Sequence, residues 1–175
     1  MSTAPAGQLT KTPEGGIIFP GDDSMQINEQ FRVLDESFLP RIAEVFAAAF
    51  SGEPWHDDWS DREQLALYIK DIGFCFNSLD YGFFDGDKLI AVSLGSVRHW
   101  WEGTDYIIEE LCVSPEYQGR GVGSRFMQLI EADVKSRSIC GIFLQTNNDK
   151  PSYSFYKRNG FKDLDRHVSL YKPLS

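Results

Sequence analysis

The sequence lacks a long apolar run, a cysteine-pair motif and an excess of positive charge. No stretch reaches 18 consecutive apolar residues, and the first residues have neither a basic start nor a following apolar segment, so we expect no membrane span and no signal peptide. The three cysteines, Cys75, Cys112 and Cys140, form no C-x-x-C pair, and their odd number leaves one unpaired in any disulfide scheme. This cysteine usage predicts a reducing, cytoplasmic location.

Positive charge is outnumbered, with 17 basic against 26 acidic residues and a formal net charge of -9. Such a field repels phosphate backbones and anionic lipid surfaces, so we expect neither nucleic acid nor a membrane as a partner. The same field would favour a cationic small molecule or an amine-bearing peptide. An acidic surface is also an ordinary way to keep a protein in solution, so the charge alone does not identify the acceptor.

The length of 175 residues with 42% hydrophobic content suits one α/β domain, which we predict over 17–175. Residues 1–16 are rich in small residues and proline without periodicity, and they read as a flexible leader. Hydrophobic spacing and turn signals predict the remaining elements. The predicted strands are 30–35, 81–85, 88–97, 105–113, 141–146 and 161–172, and the predicted helices are 40–50, 61–70, 118–136 and 151–159.

The glycine-rich stretch between the strand at 105–113 and the following helix is the most informative part of the chain. It reads Gln118-Gly119-Arg120-Gly121-Val122-Gly123. Unpaired backbone N–H groups at a helix start bind anions, and glycine lets the anion approach the main chain. A dinucleotide fingerprint would need a ribose-binding acid about twenty residues later, where Cys140 and Gly141 stand, and the G-K-[ST] ending of a P-loop is missing.

This motif resembles that of the GNAT superfamily of acetyl-CoA-dependent acyltransferases, Q/R-x-x-G-x-G/A. Similarity continues upstream in 109–116 and downstream in 155–161, and it covers about 27–175. The resemblance implies an α/β fold with a mixed, mostly antiparallel central sheet flanked by helices. The short ending after Phe161 resembles the branch of aminoglycoside 6'-N-acetyltransferases, whose terminal strand often serves a dimer, so a homodimer is an expected assembly.

The resemblance also assigns residues to acetyl-CoA. The backbone of three strand residues would pair with the pantetheine arm, and the glycine loop with the first helical turn would hold the pyrophosphate. Asn147 stands in the family's asparagine-rich signature, although that signature is shifted here and Asn148 is its neighbour. The implied cofactor-binding residues are Leu111, Cys112, Val113, Gln118, Gly119, Arg120, Gly121, Val122, Gly123, Ser124, Asn147 and Tyr156.

Two catalytic roles follow from the resemblance. Direct attack on the thioester needs a neutral amine, so a carboxylate must accept a proton, and Glu109 on the strand before the loop is the predicted base. Side chains alternate along a strand, so only one of Glu109 and Glu110 faces the cleft, and Glu110 could simply be solvated. Tyr156 is the predicted acid for the leaving thiolate, or else only packs on pantetheine. Cys112 has no activating neighbour in sequence and is not expected to act as a nucleophile.

The loop 53–60 corresponds to a wall of the acceptor pocket in the superfamily, so Glu53, Trp55, Asp57 and Glu109 are predicted to bind the amine. Alternatively, Trp55 and Trp59 close the core. His56 and His99 have no partner at metal-ligand spacing, and we predict no metal site. The sequence therefore predicts an acetyl-CoA-dependent N-acetyltransferase acting on a small-molecule or peptide amine through a ternary complex. The alternative is a non-catalytic acyl-CoA sensor.

Overall fold

The computed structural model describes Thr10–Lys11, Ile17–Ile18 and residues 26–174. The predicted leader at 1–16 therefore lies outside the described residues except for its short strand β1, Thr10–Lys11. β1 pairs antiparallel with β2, Ile17–Ile18, and β2 pairs antiparallel with β3, Gln26–Ile27. These three strands form a small separate sheet.

The central sheet has five strands in chain order. They are β4 (Glu29–Val33), β5 (Tyr81–Asp85), β6 (Lys88–Trp100), β7 (Gly103–Val113) and β8 (Gly141–Leu144). Neighbours from β4 to β7 are antiparallel, and β8 alone runs parallel to β7. The predicted mixed, mostly antiparallel sheet is confirmed. The β5–β6 hairpin turns at Gly86, whose φ of 57° suits the Asp-Gly pair that joins the two strands.

The described part of the chain has four α-helices: α1 (Leu39–Phe50), α2 (Arg62–Ile72), α3 (Val122–Ser136) and α4 (Pro151–Arg158). A proline stands in the first turn of α1, where its missing N–H removes no helical hydrogen bond. Asp61 caps α2 by accepting from the backbone N–H groups of Glu63 and Gln64, each at 3.0 Å. Short 3₁₀ turns, Glu36–Phe38 and Pro115–Tyr117, precede α1 and the α3 loop.

Helices cover both faces of the sheet, and adjacent residues of β5 show the division. Phe84 belongs to the core cluster formed with α1 and α2. Phe83 instead stacks on Phe126 of α3 with ring centroids 5.7 Å apart. Successive side chains of a strand point to opposite faces, so α1 and α2 lie on one face and α3 on the other.

The chain divides into two compact units, one ending at Gln145 and the other beginning at Thr146. In the second unit, the ring of Tyr156 on α4 contacts those of Phe155 and Phe161, with centroids 5.1 and 5.3 Å away. Lys157 and Asp163 form an ion pair at 3.0 Å after the helix end. The aromatic contacts bury Tyr156 within a helix that is otherwise partly exposed.

Three predicted elements differ most from the structure. The strand predicted for 161–172 is absent, because the described residues after Arg158 form no strand and the apolar side chains of Val168, Leu170 and Leu174 are exposed. Apolar residues in a segment do not make a strand without a partner for its hydrogen bonds. The third helix begins at Val122 rather than at residue 118, and β8 ends at Leu144 and is only half-buried.

Candidate active site

The strand β7 changes its pairing halfway along. Residues 105–108 lie between β6 on one side and β8 on the other. β8 ends at Leu144, opposite Ile108, so within the described chain residues 109–113 have a strand partner only on the β6 side. The free edge presents backbone N–H and C=O groups that an extended ligand can use. Leu111, Cys112 and Val113, predicted to pair with pantetheine, all lie in this half.

A β-bulge marks the same point of the strand. Leu94 pairs with Glu110 and Gly95 pairs with Ile108, so Glu109 is an extra residue on β7. The buried carboxylate of Asp80 accepts the N–H of Gly95 at 3.0 Å on the opposite side of β6. A side chain at Gly95 would meet the carbonyl oxygen of Ile107 and the ring of Tyr106. The bulge therefore depends on close backbone approach at Gly95 and on its bond to Asp80.

The glycine loop joins the free end of β7 to α3. Gly119 and Gly121 have φ angles of 73° and 82°, a left-handed conformation that explains why residues 118–121 form a turn and not the predicted first helical turn. The side chain of Gln118 donates to the carbonyl of Val113 at 2.8 Å and so ties the loop to the strand. Gly121 occupies the N-cap position of α3 without a side-chain cap, and the first turn holds no acidic residue. These features suit an anion at the helix start.

The two adjacent glutamates of β7 have different surroundings. Glu109 is exposed, whereas Glu110 is half-buried beside the α1–α2 face, across from Leu94 and near Cys112 of the core cluster. The hydroxyl of Tyr68 on α2 donates to Oε1 of Glu110 at 2.7 Å. The suggestion that Glu110 is merely solvated is therefore wrong. The bulge at Glu109 breaks the simple alternation on which that suggestion rested.

Burial and charge act together on the Glu110 carboxyl. Burial raises its pKa above the usual 4.5, and the negative charges of Asp57 and Glu109 raise it further, while the hydrogen bond from Tyr68 lowers it. Burial likewise raises the pKa of the Tyr68 hydroxyl, with a further increase from the bond to Glu110, so Tyr68 stays protonated. A carboxylate with a raised pKa is a stronger base at neutral pH than an ordinary surface glutamate.

The loop predicted to form the acceptor wall lies beside these acids. Asp57 is exposed and close enough for its charge to affect Glu110 and Tyr68. Trp59 stacks on Tyr68 with ring centroids 5.2 Å apart, and Trp55 packs on Phe50 at 5.7 Å. Both tryptophans therefore also contribute to the core. The exposed side chain of Glu53 pairs with His56 at 3.0 Å, directed along its own loop.

The indole N–H of Trp59 has a distinct property. Its nitrogen is buried and has no hydrogen-bond partner among the described residues. A buried donor without an acceptor costs free energy, so such a group invites a ligand or a water with a lone pair. The stack on Tyr68 places this indole in the same aromatic group as the partner of Glu110.

The cysteines differ in exposure and none of the three forms a disulfide: Cys75 and Cys140 are exposed, and Cys112 is buried. Burial raises the pKa of the Cys112 thiol, and the charge of Glu110 adds to the increase. A thiol kept protonated is a poor nucleophile.

Among the described residues, no group of three or more histidine, cysteine or acidic side chains could hold a metal ion. No helix in the same residues is long and apolar enough to cross a membrane.

Two predicted site residues belong to the second unit. Asn147 is exposed, and its backbone carbonyl accepts the N–H of Lys150 at 3.2 Å. Tyr156 is buried in the aromatic group of α4 described above. The remaining predicted residues belong to the first unit, where the charges of Asp57 and Glu109 both contribute to the raised pKa of Glu110.

The half-paired end of β7, the glycine turn and the start of α3 are continuous in sequence. A match to a family model includes all three. Residues 39–161 match the model of the acetyltransferase (GNAT) family. The chain belongs to this family. It is therefore an acyltransferase, with the GNAT fold that the sequence predicts.

Solved structures of GNAT acetyltransferases share this fold. One is described as a possible acetyltransferase from Clostridium difficile 630, with a TM-score of 0.71 and 16% identity over 84% of this chain and 99% of that one. A second is the aminoglycoside acetyltransferase meta-AAC0020 from an uncultured soil metagenomic sample, in complex with sisomicin. Its TM-score is 0.65 and its identity is 18%, over 84% of this chain and 97% of that one. A third is AAC(6')-Iy in complex with the bisubstrate analog CoA-S-monomethyl-acetylneamine. Its TM-score is 0.63 and its identity is 15%, over 84% of this chain and 99% of that one.

Sequence reasoning missed two residues of this GNAT site. Tyr68 follows Leu65 by three residues on the buried face of α2, so the helical period could have placed it against the sheet. Asp80 accepts the N–H groups of Phe74 and Gly95, each at 3.0 Å, and burial raises its pKa while these bonds lower it. Its position just before β5 resembles an ordinary turn acid, and no local pattern signals its burial.

Proposed function

We propose that this GNAT protein is an N-acetyltransferase that transfers the acetyl group of acetyl-CoA directly to a primary amine in a ternary complex. The observation that carries the proposal is the half-paired β7 edge leading into an uncapped helix through Gly119 and Gly121. The edge suits the amide groups of a pantetheine arm, and the helix start suits a pyrophosphate. The thioester supplies the activated acetyl group when bound.

The residues that would hold acetyl-CoA fall into three groups. The backbone of Leu111, Cys112 and Val113 would face the pantetheine arm, with the Cys112 side chain remaining in the core. The loop and first helical turn from Gln118 to Ser124 would hold the pyrophosphate through backbone N–H groups. The family resemblance also assigns Asn147 and Tyr156, which belong to the second unit, to acetyl-CoA.

The proton balance assigns the acidic and phenolic groups. An alkylammonium has a pKa of roughly 10.4, so its proton must leave before the nitrogen can attack. The N–C bond to the acetyl carbon then forms while the C–S bond breaks. A β7 carboxylate accepts the proton of the ammonium group, and the Tyr156 hydroxyl donates one to the leaving thiolate. The second proton that the nitrogen loses on becoming an amide returns to the Tyr156 oxygen, and the carboxylate releases its proton to solvent. Covalent transfer through Cys112 is not proposed, because burial keeps that thiol protonated.

Glu109, the base predicted from sequence, and Glu110 are both candidates for this proton. The half-burial of Glu110, its raised pKa and its bond from Tyr68 support Glu110. Exposure of Glu109 supports a role in attracting a cationic acceptor. The base assignment is therefore part of the proposal and is tested by comparing the two glutamine variants.

The proposed acceptor is a cationic small-molecule or peptide amine. Asp57, Glu109 and Glu110 supply negative charge, and the Trp59 and Tyr68 rings supply aromatic faces for an ammonium group. Glu53 and Trp55 are the proposed outer contacts. Two structural neighbours were solved with an aminoglycoside or an acetylneamine analog, so aminoglycosides belong in the set of amines to test.

A thiol-release assay with acetyl-CoA across a panel of polyamines, aminoglycosides and lysine peptides tests the proposal. We expect amine-dependent CoA release with at least one cationic acceptor. Mass spectrometry should then detect the N-acetylated form of that acceptor. Acetyl-CoA binding measured by calorimetry, with no transfer to any amine of the panel, would instead support the non-catalytic sensor.

A further inference from the structure

Tyr68 and Glu110 form a hydrogen-bonded pair across the first unit, from α2 to β7. The phenolic oxygen lies 2.7 Å from Oε1 of the carboxylate, a short distance typical of a hydroxyl donating to a charged acceptor. Both side chains are partly buried. The pair connects the helix that follows the acceptor loop with the half of β7 that has one strand partner.

The Tyr68 ring is held in place by its neighbours. It stacks on Trp59 at 5.2 Å with an interplanar angle of 28°, and it meets Phe46 edge-on at 5.8 Å. Helix α2 presents Leu65 and Ile69, both fully buried, on the same face. The contacts with Trp59 and Phe46 restrict the ring, so little additional side-chain entropy is lost when the hydroxyl binds the carboxylate.

The other partner is fixed by the strand. The bulge at Glu109 directs Glu110 to the same face as Leu94, its pairing partner across from it on β6. Gly95 beside Leu94 is bound through its N–H to Asp80. The bond to Asp80, just before β5, thus constrains the backbone of β6 opposite Glu110, and Tyr68 constrains the Glu110 side chain.

The ionisable groups around the Glu110 carboxylate come from each element packed against it. Tyr68 belongs to α2, Asp57 to the loop before it, and Glu109 and Cys112 to β7. Tyr68 and Cys112 remain protonated because burial raises the pKa of both. Among the residues that the structure describes, only Tyr68 donates a hydrogen bond to the carboxylate, whereas the charges of Asp57 and Glu109 oppose its ionisation.

We propose that Tyr68 is a positioning residue that holds the ionised Glu110 carboxylate ready to accept a proton from the ammonium group of the acceptor. This inference rests on the proposed N-acetyltransferase function and adds the group that orients and ionises its base. One N–H bond of the ammonium breaks and one O–H bond forms on Glu110. The Tyr68 proton stays on its phenolic oxygen throughout.

The test is the pH dependence of kcat/KM in Tyr68→Phe, which keeps the stacked ring and removes only the donor. The acid limb reports the pKa of the essential base in the free enzyme. Removing a bond that favours the charged form should move this limb to higher pH and lower kcat at neutral pH by about three- to thirtyfold, as expected for loss of a charge-assisted hydrogen bond. The KM for acetyl-CoA should change less than about twofold, because Tyr68 is not a proposed cofactor contact.

Tyr81→Phe is the matched control. The Tyr81 hydroxyl also donates to a carboxylate at 2.7 Å, Oδ2 of Asp133, but on the face of the sheet that packs against α3. Its loss should lower the melting temperature while leaving the acid limb in place. In a Glu110→Gln background, Tyr68→Phe should have no further effect on kcat, since the two residues act through one bond.

The outcomes separate the two proposals. An acid limb that does not move in Tyr68→Phe, or a Glu110→Gln enzyme with parental kcat, would overturn the role of the pair while acetyl transfer itself remained established. A parent enzyme that transfers acetyl to no amine would overturn the proposed function and the pair's role together. NMR titration of the Glu110 side-chain carboxyl carbon gives a second readout, and an unchanged pKa in Tyr68→Phe would overturn the inference independently of turnover.

Discussion

The two halves of β7 have different partners and different chemistry. In the first half, Tyr106, Ile107 and Ile108 are buried and lie between two strands. The second half, 109–113, has one strand partner and begins at a bulge with two acids. A fully paired strand satisfies its own backbone groups and serves the core. The half-paired segment has backbone groups and carboxylates left for a ligand, which is why the proposed chemistry belongs there.

The largest effect on turnover is expected when the proposed base is removed from the half-paired segment of β7. Glu110→Gln should lower kcat by about 10² to 10⁴ at neutral pH, because general-base catalysis contributes a factor of that order. Glu109→Gln should lower it by less than about tenfold, as an exposed charge that attracts the acceptor. Steady-state kinetics with the best amine measures both, and calorimetry should show nearly unchanged acetyl-CoA affinity. The reverse ranking would restore Glu109, the base predicted from sequence.

The next effect concerns the loop that continues the segment. Gly121→Val should weaken acetyl-CoA binding by about 10² or more, the equivalent of losing about 3 kcal/mol of contacts at the helix start. Gly86→Val is the control, since Gly86 also has a positive φ, 57°, but belongs to the β5–β6 turn. Circular dichroism and melting accompany the titration. Parental affinity in a folded Gly121→Val protein would place the pyrophosphate elsewhere.

A smaller effect, on stability, is expected for a substitution at the bulge between the two halves of β7. Gly95→Ala should reduce the free energy of unfolding by about 2 to 3 kcal/mol, because the new methyl group meets the Ile107 carbonyl and the Tyr106 ring. Gly52→Ala is the comparison, since nothing lies within 4 Å of its added carbon, and it should change stability by less than about 0.5 kcal/mol. Urea unfolding measures both. Equal stabilities would show that the bulge tolerates a side chain at this position.

The smallest effect is a pH dependence of stability. The pKa of Glu110 is higher in the folded protein than the usual 4.5, so folding favours its protonated form. Its contribution to the free energy of unfolding is therefore full below about pH 4.5 and is lost as the pH rises through the raised folded value. Relative to Glu110→Gln, the parent should lose stability between about pH 4.5 and neutrality. A parent that gains stability over this range relative to the variant would contradict the raised pKa.

Much of the fold was predictable from local pattern. Local sequence determines helix α1, the Asp-Gly hairpin and the Asp61 cap of α2, because each depends on residues only a few positions apart. The glycine loop was located correctly, but its first four residues form a turn, because the left-handed φ at Gly119 and Gly121 is incompatible with a helix. Local rules succeeded wherever the determining contacts are close in sequence.

The remainder depends on contacts between distant segments. The bulge at Glu109 arises from register with β6, and the partner of Glu110 lies 42 residues away on α2. The segment 161–172 contains spaced apolar residues, yet a strand also needs a neighbour to receive its hydrogen bonds. Pairing and burial of this kind are tertiary properties, and periodicity alone could not predict them.

The distribution of the cysteines has a practical consequence for measuring the activity. A chromogenic disulfide that detects the thiol of released CoA would also react with the accessible side chains of Cys75 and Cys140, while Cys112 is shielded by the core. Each protein molecule would then release as many as two equivalents of the coloured thiol before any turnover. A Cys75→Ser, Cys140→Ser enzyme should show almost no such burst, so that every equivalent of colour it produces reports one acetyl group transferred or one thioester hydrolysed.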